Sequence, residues 1–142
     1  MTRIRRSFLR KSNSLIAWVL SVCGIACTNI ACEYGTPEAK FTVYGTVKSE
    51  ETNLPVEHFQ VIMRNDTAFS DAVGKYKVSV FDFPTSQSFD LNLKDVDGSD
   101  HGEFAPKDTL IQFENPNFKS GDGHWYKGET DKEVNIRLKT ED

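Results

Sequence analysis

The chain has 142 residues, 38% of them hydrophobic and 27% charged, with a formal net charge of −4, the balance of one small globular domain and not of a disordered polymer. Arg3, Arg5, Arg6, Arg10 and Lys11 crowd the start with no acid among them; without these five, 12 of the 17 Lys+Arg face all 21 Asp+Glu, about −9 for a chain beginning at Cys27. So acidic a body excludes nucleic-acid binding, which needs a basic footprint.

The basic start leads into Leu15 to Ala26, an uncharged and mostly apolar run that ends in small residues. Charged, then apolar, then small is the order of a secretory signal peptide. A transmembrane span needs about 20 consecutive apolar residues, and this run stops sooner, at Thr28 and Asn29. All three cysteines, Cys23, Cys27 and Cys32, lie within or just after it, so no disulfide staples the body of the protein. A cysteine behind a signal core, preceded by small residues, is what lipoprotein processing requires: its thiol takes a diacylglyceryl group and it becomes the mature N-terminus. Cys27, behind Gly24-Ile25-Ala26, fits best; Cys32, behind Asn29-Ile30-Ala31, and Cys23, behind the bulky Val22, are the alternatives. The expected organisation is a lipoprotein signal peptide at 1–26, a leader at 27–39 and a β domain at 40–142. That domain would be held by the N-terminal lipid on a cell-envelope membrane, the outer membrane or cell surface ahead of the inner membrane.

Beyond the leader the hydrophobic pattern has a period of two, the period of strands. Phe41, Val43, Gly45 and Val47 alternate with Thr42, Tyr44, Thr46 and Lys48, giving one buried and one wet face. Phe59 to Arg64, Thr67 to Ser70 and Lys75 to Val80 follow, rich in β-branched and aromatic residues,. Between the last two, Asp71-Ala72-Val73-Gly74 reads as a tight hairpin capped by Asp71. Phe89, Leu91 and Leu93 alternate with Ser88, Asp90, Asn92 and Lys94; Thr109 to Phe113 continues the theme; Val134, Ile136 and Leu138 against Asn135, Arg137 and Lys139 close it. Apart from the signal, no stretch has helical spacing. The pattern predicts an all-β fold, an antiparallel β-sandwich of about seven strands, prealbumin-like or immunoglobulin-like.

Two resemblances refine this. Thr67 to Tyr76, preceded by Gly45-Thr46-Val47 and Leu54-Pro55-Val56, resembles the carboxypeptidase regulatory-like, prealbumin-type β-sandwich, whose signatures imply a fold and no active site. Cys32-Glu33-Tyr34-Gly35-Thr36-Pro37, Asp95-Val96-Asp97-Gly98 and Gly121-Asp122-Gly123-His124-Trp125-Tyr126-Lys127-Gly128, in that order, resemble the radical SAM-associated lipoproteins of diderm bacteria. This second resemblance implies a lipid anchor, an envelope location and a radical SAM enzyme as partner, with the chain as that enzyme's substrate in one reading. It carries over no catalytic residue.

The candidate chemistry is sparse. Asp95, Asp97 and Asp100 lie in a glycine-containing loop and offer oxygen ligands for calcium. However, Gly98 comes too early for the glycine of an EF-hand and the closing glutamate is missing, so a plain Asp-Gly turn is the stronger reading. His58, His101 and His124 show no short spacing to a second His or Cys and read as surface histidines. There is no G-x-S-x-G nucleophile turn and no glycine loop for phosphate, so no enzyme is expected. His124, Trp125 and Tyr126 join flexible glycines to adjacent aromatics, a composition that suits a glycan or protein ligand as well as a packed loop. The expected function is a non-enzymatic, lipid-anchored interaction module, with carbohydrate binding as an alternative.

Overall fold

A computed structural model describes residues 35–141, together with Ile16 and Trp18, which are helical and exposed. The rest of the expected signal peptide, with Cys23, Cys27 and Cys32, lies outside the described residues. From Thr36 onward the chain forms its own unit. Its strands are β1 (Glu38–Ser49), β2 (Gln60–Met63), β3 (Asp66–Phe69), β4 (Lys75–Asp82), β5 (Gln87–Lys94), β6 (Lys107–Phe113), β7 (Lys119–Ser120), β8 (Tyr126–Glu133) and β9 (Ile136–Leu138), with a 3-10 turn at Gly98–His101.

The strands make two sheets, one ordered β4-β1-β8-β7 with β9 also on β1, the other β3-β2-β5-β6. The all-β sandwich is therefore as expected, with Phe41, Val43, Val47, Phe89, Leu91, Leu93, Ile136 and Leu138 buried as their alternation requires. Phe41 sits at the centre of an aromatic cluster, 5.2 Å from both Phe89 and Phe113 and 5.5 Å from Phe118, ring centre to ring centre. Edge-to-face contacts of this kind add about 0.5–1.5 kcal/mol each beyond the area they bury.

Three expectations need correction. There are nine strands among the described residues, not about seven. The two additional ones, β7 and β8, carry almost no apolar side chains: β8 reads Tyr-Lys-Gly-Glu-Thr-Asp-Lys-Glu with only Gly128 buried. Backbone pairing, not side-chain burial, places β8 between β1 and β7, and a period-two search cannot see such a strand. The sheets are also not wholly antiparallel, because β1 pairs in parallel with β8, Glu38 opposite Tyr126, and with β9, Val47 opposite Ile136. Both strands reach β1 after the chain has traversed the other sheet, and a long crossover of that kind permits the parallel direction. Finally, β1 begins at Glu38, within the stretch read as leader.

The join between β8 and β9 explains Gly45 and Val134. Neither strand contains Val134 or Asn135; the ladder with β1 is interrupted there, in unchanged register, opposite Gly45 and Thr46. A Cβ on Gly45 would stand 2.0 Å from the Val134 carbonyl oxygen, so only glycine allows the approach,. That oxygen accepts a hydrogen bond from the Tyr76 hydroxyl at 2.7 Å, and the Val134 amide donates to the Tyr44 carbonyl at 2.8 Å. Asn135 completes the patch: its Oδ1 accepts from the Thr46 amide at 3.0 Å and from the Thr46 hydroxyl at 2.9 Å. Burial pushes the Tyr76 phenol well above its ordinary pKa, so the hydroxyl remains a donor throughout the physiological range.

Removing that donor with Tyr76→Phe is expected to cost about 1 kcal/mol in equilibrium urea unfolding. Gly45→Ala, which drives a methyl group into backbone, should cost more, about 3 kcal/mol; a Gly45→Ala chain as stable as the wild type would contradict this account of the close approach.

Candidate functional site

The twelve residues of β1, at about 3.3 Å each, separate two poles of the sandwich by roughly 36 Å. The proximal pole is where β1 begins, and the distal pole is where it ends. Each carries loops with chemistry.

At the distal pole, His58 precedes β2 and His101 ends the 3-10 turn. The β2–β5 register sets Gln60 opposite Lys94, so the residues just outside that pair, 57–59 and 95–97, emerge side by side. The backbone around His58 is tied by Ser70, whose buried hydroxyl donates to the Val56 carbonyl at 2.7 Å and accepts from the Phe59 amide at 2.9 Å. The His58 amide itself donates to the Ser70 carbonyl at 2.9 Å. On the other loop, Asp95 accepts from the Asp97 amide at 3.3 Å and from the Phe104 amide at 3.0 Å. Phe59 and Phe104, both buried, meet edge to face at 6.3 Å and join the two loops through the core.

These ties bring together side chains that are far apart in sequence. The His58 and His101 rings stack, with centres 5.5 Å apart and planes 14° from parallel. His101 Nδ1 is hydrogen-bonded to Asp97 Oδ2. The Glu57 carboxylate faces both rings, 3.8 Å from His58 Nδ1 and 3.9 Å from His101 Nε2. The hydrogen bond to Asp97, assisted by its charge and by those of Glu57 and Asp100, raises the His101 pKa above the ordinary imidazole value, and the same bond lowers that of Asp97.

The sequence reading of this region is altered in two ways. Asp95, Asp97 and Asp100, offered as calcium ligands only in the weaker reading, do not form one group; Asp95 is engaged with backbone amides, and only Asp97 joins the group that His58 and His101 complete. Conversely, two of the histidines taken as scattered are neighbours. Their separation of 43 positions hides this, and only the β2–β5 register reveals it. His124 takes no part in the group.

At the proximal pole, His124, Trp125 and Tyr126 lie together on the β7–β8 hairpin. The His124 amide donates to Asp122 Oδ1 at 2.8 Å and the Asp122 amide to the Tyr126 carbonyl at 3.0 Å. The Trp125 carbonyl accepts from the Glu38 amide at 2.9 Å, fixing the hairpin against the first residue of β1. Trp125 is 40% exposed; Tyr126 is half-buried and lies 6.3 Å from Phe81, centre to centre. Partial burial raises the Tyr126 phenol pKa, with Glu129, Glu38 and Asp122 adding to the effect.

Between the poles, the outer face of β4-β1-β8 forms an open groove of about 860 Å³. Tyr44 and Phe69 supply its aromatic surface, Lys75 and Lys77 one charged wall, and Glu129 and Asp131 the other. Its signal in the sequence was the outward set of β1, Thr42, Tyr44 and Thr46, which reads as an ordinary wet face until β3 and β8 are placed beside it.

No family model matches the chain, and no curated protein does. Among solved structures, the chain is similar to a DUF3823 family protein from Parabacteroides merdae, at 19% identity and a TM-score of 0.35. The similarity covers 75% of this chain and 48% of that one, so the chain spans about half that protein's length.

The His101–Asp97 pair makes a pH prediction. Because the His101 pKa is raised and that of Asp97 lowered, the pairing is fully present below the ordinary histidine pKa and is lost as pH rises through the raised value. It is lost again on the acid side, as pH falls through the lowered Asp97 value. NMR titration of metal-free protein should show His101 deprotonating above the ordinary imidazole value, and Asp97→Asn should lower it. Identical titration of His101 before and after that substitution would contradict the pairing.

Proposed function

We propose that the chain is a non-enzymatic, lipid-anchored lipoprotein of the cell envelope, in which a prealbumin-type β-sandwich acts as a binding module. The observation that carries this reading is the separation of the two ends of β1. The chain joins the sandwich at Glu38, beside Trp125, so a lipid on Cys27 would tether the proximal pole. The groove on the outer face of β4-β1-β8 and the loops of the distal pole would then remain open to a partner. The groove has the volume of a typical ligand site, and its mixture of Tyr44, Phe69, lysines and carboxylates suits an extended polar ligand. The ordering of basic, apolar and small residues ahead of Cys27 supports export.

A carbohydrate-binding reading is favoured by the exposure of Trp125 beside Tyr126, since stacking on such rings is how sugars are commonly held. It predicts that glycans shift or quench the emission of Trp125, obtained by subtracting the Trp125→Phe spectrum from the wild-type one. An unchanged difference spectrum across a broad glycan panel would remove this reading.

The anchor is tested by the intact mass of membrane-extracted protein with peptide mapping. Diacylglyceryl mass on Cys27 is expected, and Cys27→Ala should leave the membrane fraction while its thermal unfolding midpoint stays unchanged, because the lipid lies outside the core. Protein without any acyl mass would refute the anchored reading. A further unexplained mass within 40–142 would support the proposal that a radical SAM enzyme uses the chain as substrate.

A further inference from the structure

We infer that the distal pole carries a site for a divalent transition-metal ion, zinc in the first instance, held by His58, Asp97 and His101 with Glu57 as a fourth ligand. Each of the three residues presents one ligand atom, and these atoms all lie within 4.8 Å of one another. In a tetrahedral zinc site, with bonds of about 2.1 Å, neighbouring ligand atoms stand roughly 3.4 Å apart. The contraction needed falls mainly on the exposed His58 and His101 side chains, with Asp97 half-buried beside them, and none of the three belongs to the core. Glu57 stands outside that group of three; its two carboxylate oxygens lie 3.8 Å from His58 Nδ1 and 3.9 Å from His101 Nε2, so it would swing in to complete the set.

The donor set decides the metal class. Two imidazole nitrogens with carboxylate oxygens suit zinc, nickel or copper, whereas calcium and magnesium require oxygen throughout. At Asp97 this set therefore favours a softer ion than the calcium that Asp95, Asp97 and Asp100 offered as the weaker reading. The two rings stack nearly parallel, 14° between planes, so one imidazole must rotate about its side-chain bonds to bring both in-plane lone pairs onto one ion.

The scaffold is ordered before any ion arrives. The His58 loop is fastened by the buried Ser70 hydroxyl, and the Asp97 loop by Asp95 on the Phe104 amide. The Phe59–Phe104 contact fixes one loop against the other. An ion bound here need not pay for folding the backbone, only for rotating side chains. The inference is independent of the lipid anchor, since it concerns the opposite pole.

The test is zinc titration by calorimetry on the purified full-length chain, stripped of metal, with Cys23, Cys27 and Cys32 alkylated so that thiols cannot contribute. Saturable binding of one zinc ion per chain is expected, with a rise in the thermal midpoint. His58→Ala and His101→Ala should each weaken binding at least about tenfold and Glu57→Gln less, while His124→Ala should leave it unchanged. Urea unfolding of each variant establishes that the fold is retained, and Asp97→Glu, which keeps a carboxylate, should preserve measurable affinity if a variant at another ligand fails to fold. No saturable zinc binding by the wild type, saturation by calcium in its place, or a loss in His124→Ala equal to that in His58→Ala would each overturn the site.

Discussion

The sandwich depends on a backbone contact that no side chain makes: the Val134 carbonyl pressed against the α-carbon of Gly45. There the chain, having paired with the first half of β1 as β8, breaks its ladder for one step and resumes pairing, in the same register, with the second half as β9. A break in a ladder leaves polar backbone groups in need of other partners. Here the Tyr76 hydroxyl takes the Val134 carbonyl, the Val134 amide reaches the Tyr44 carbonyl, and the Asn135 side chain receives the Thr46 amide. Long-range bonds thus replace the missing ladder, and Gly45 contributes by having no side chain.

Everything else about the first sheet follows from that step. By running parallel to both β8 and β9, β1 brings its beginning against the Trp125 hairpin and its end against Leu138. The C-terminal residues then pass on to the distal loops, where the Ala105 amide donates to the Lys139 carbonyl and Phe104 pairs with Thr140. The same strand that receives the N-terminal segment at one pole therefore helps brace the loop bearing His101 at the other. An acidic body with apolar chemistry at one end and imidazoles at the other is the outcome.

Where side chains alternate in and out, the sequence was legible: β1, β5 and β9 could be read from Phe41, Val43 and Val47, from Phe89, Leu91 and Leu93, and from Ile136 and Leu138. The β3–β4 hairpin was legible too, because a turn of this kind announces itself locally. Asp71 Oδ1 accepts from the amides of Val73 at 3.0 Å and Lys75 at 2.8 Å, as a capping aspartate should. β8 was not legible, since hydrogen bonding without burial leaves no period to read, and the parallel direction was not, since direction is a property of connection and not of pattern. The candidate site shows the same divide. Asp97 bonds His101 only four positions on, a local pairing, whereas its approach to His58, far upstream, is fixed by strand register.

That register also explains why exposed residues at the distal pole can have definite positions. A surface histidine on a long loop ordinarily samples many rotamers and many backbone states, and any geometry it shows with another such residue is fleeting. Here the backbone freedom has been removed from both loops by buried groups, Ser70 on one side and Phe104 on the other, and the two are locked by Phe59. Only side-chain rotation is left, which costs at most about 2 kcal/mol per residue to suppress. The same core contacts that hold the sheets together therefore lower the cost of gathering Glu57, His58, Asp97 and His101, and a change in the packing of Phe59 or Phe104 would be felt first at the imidazoles.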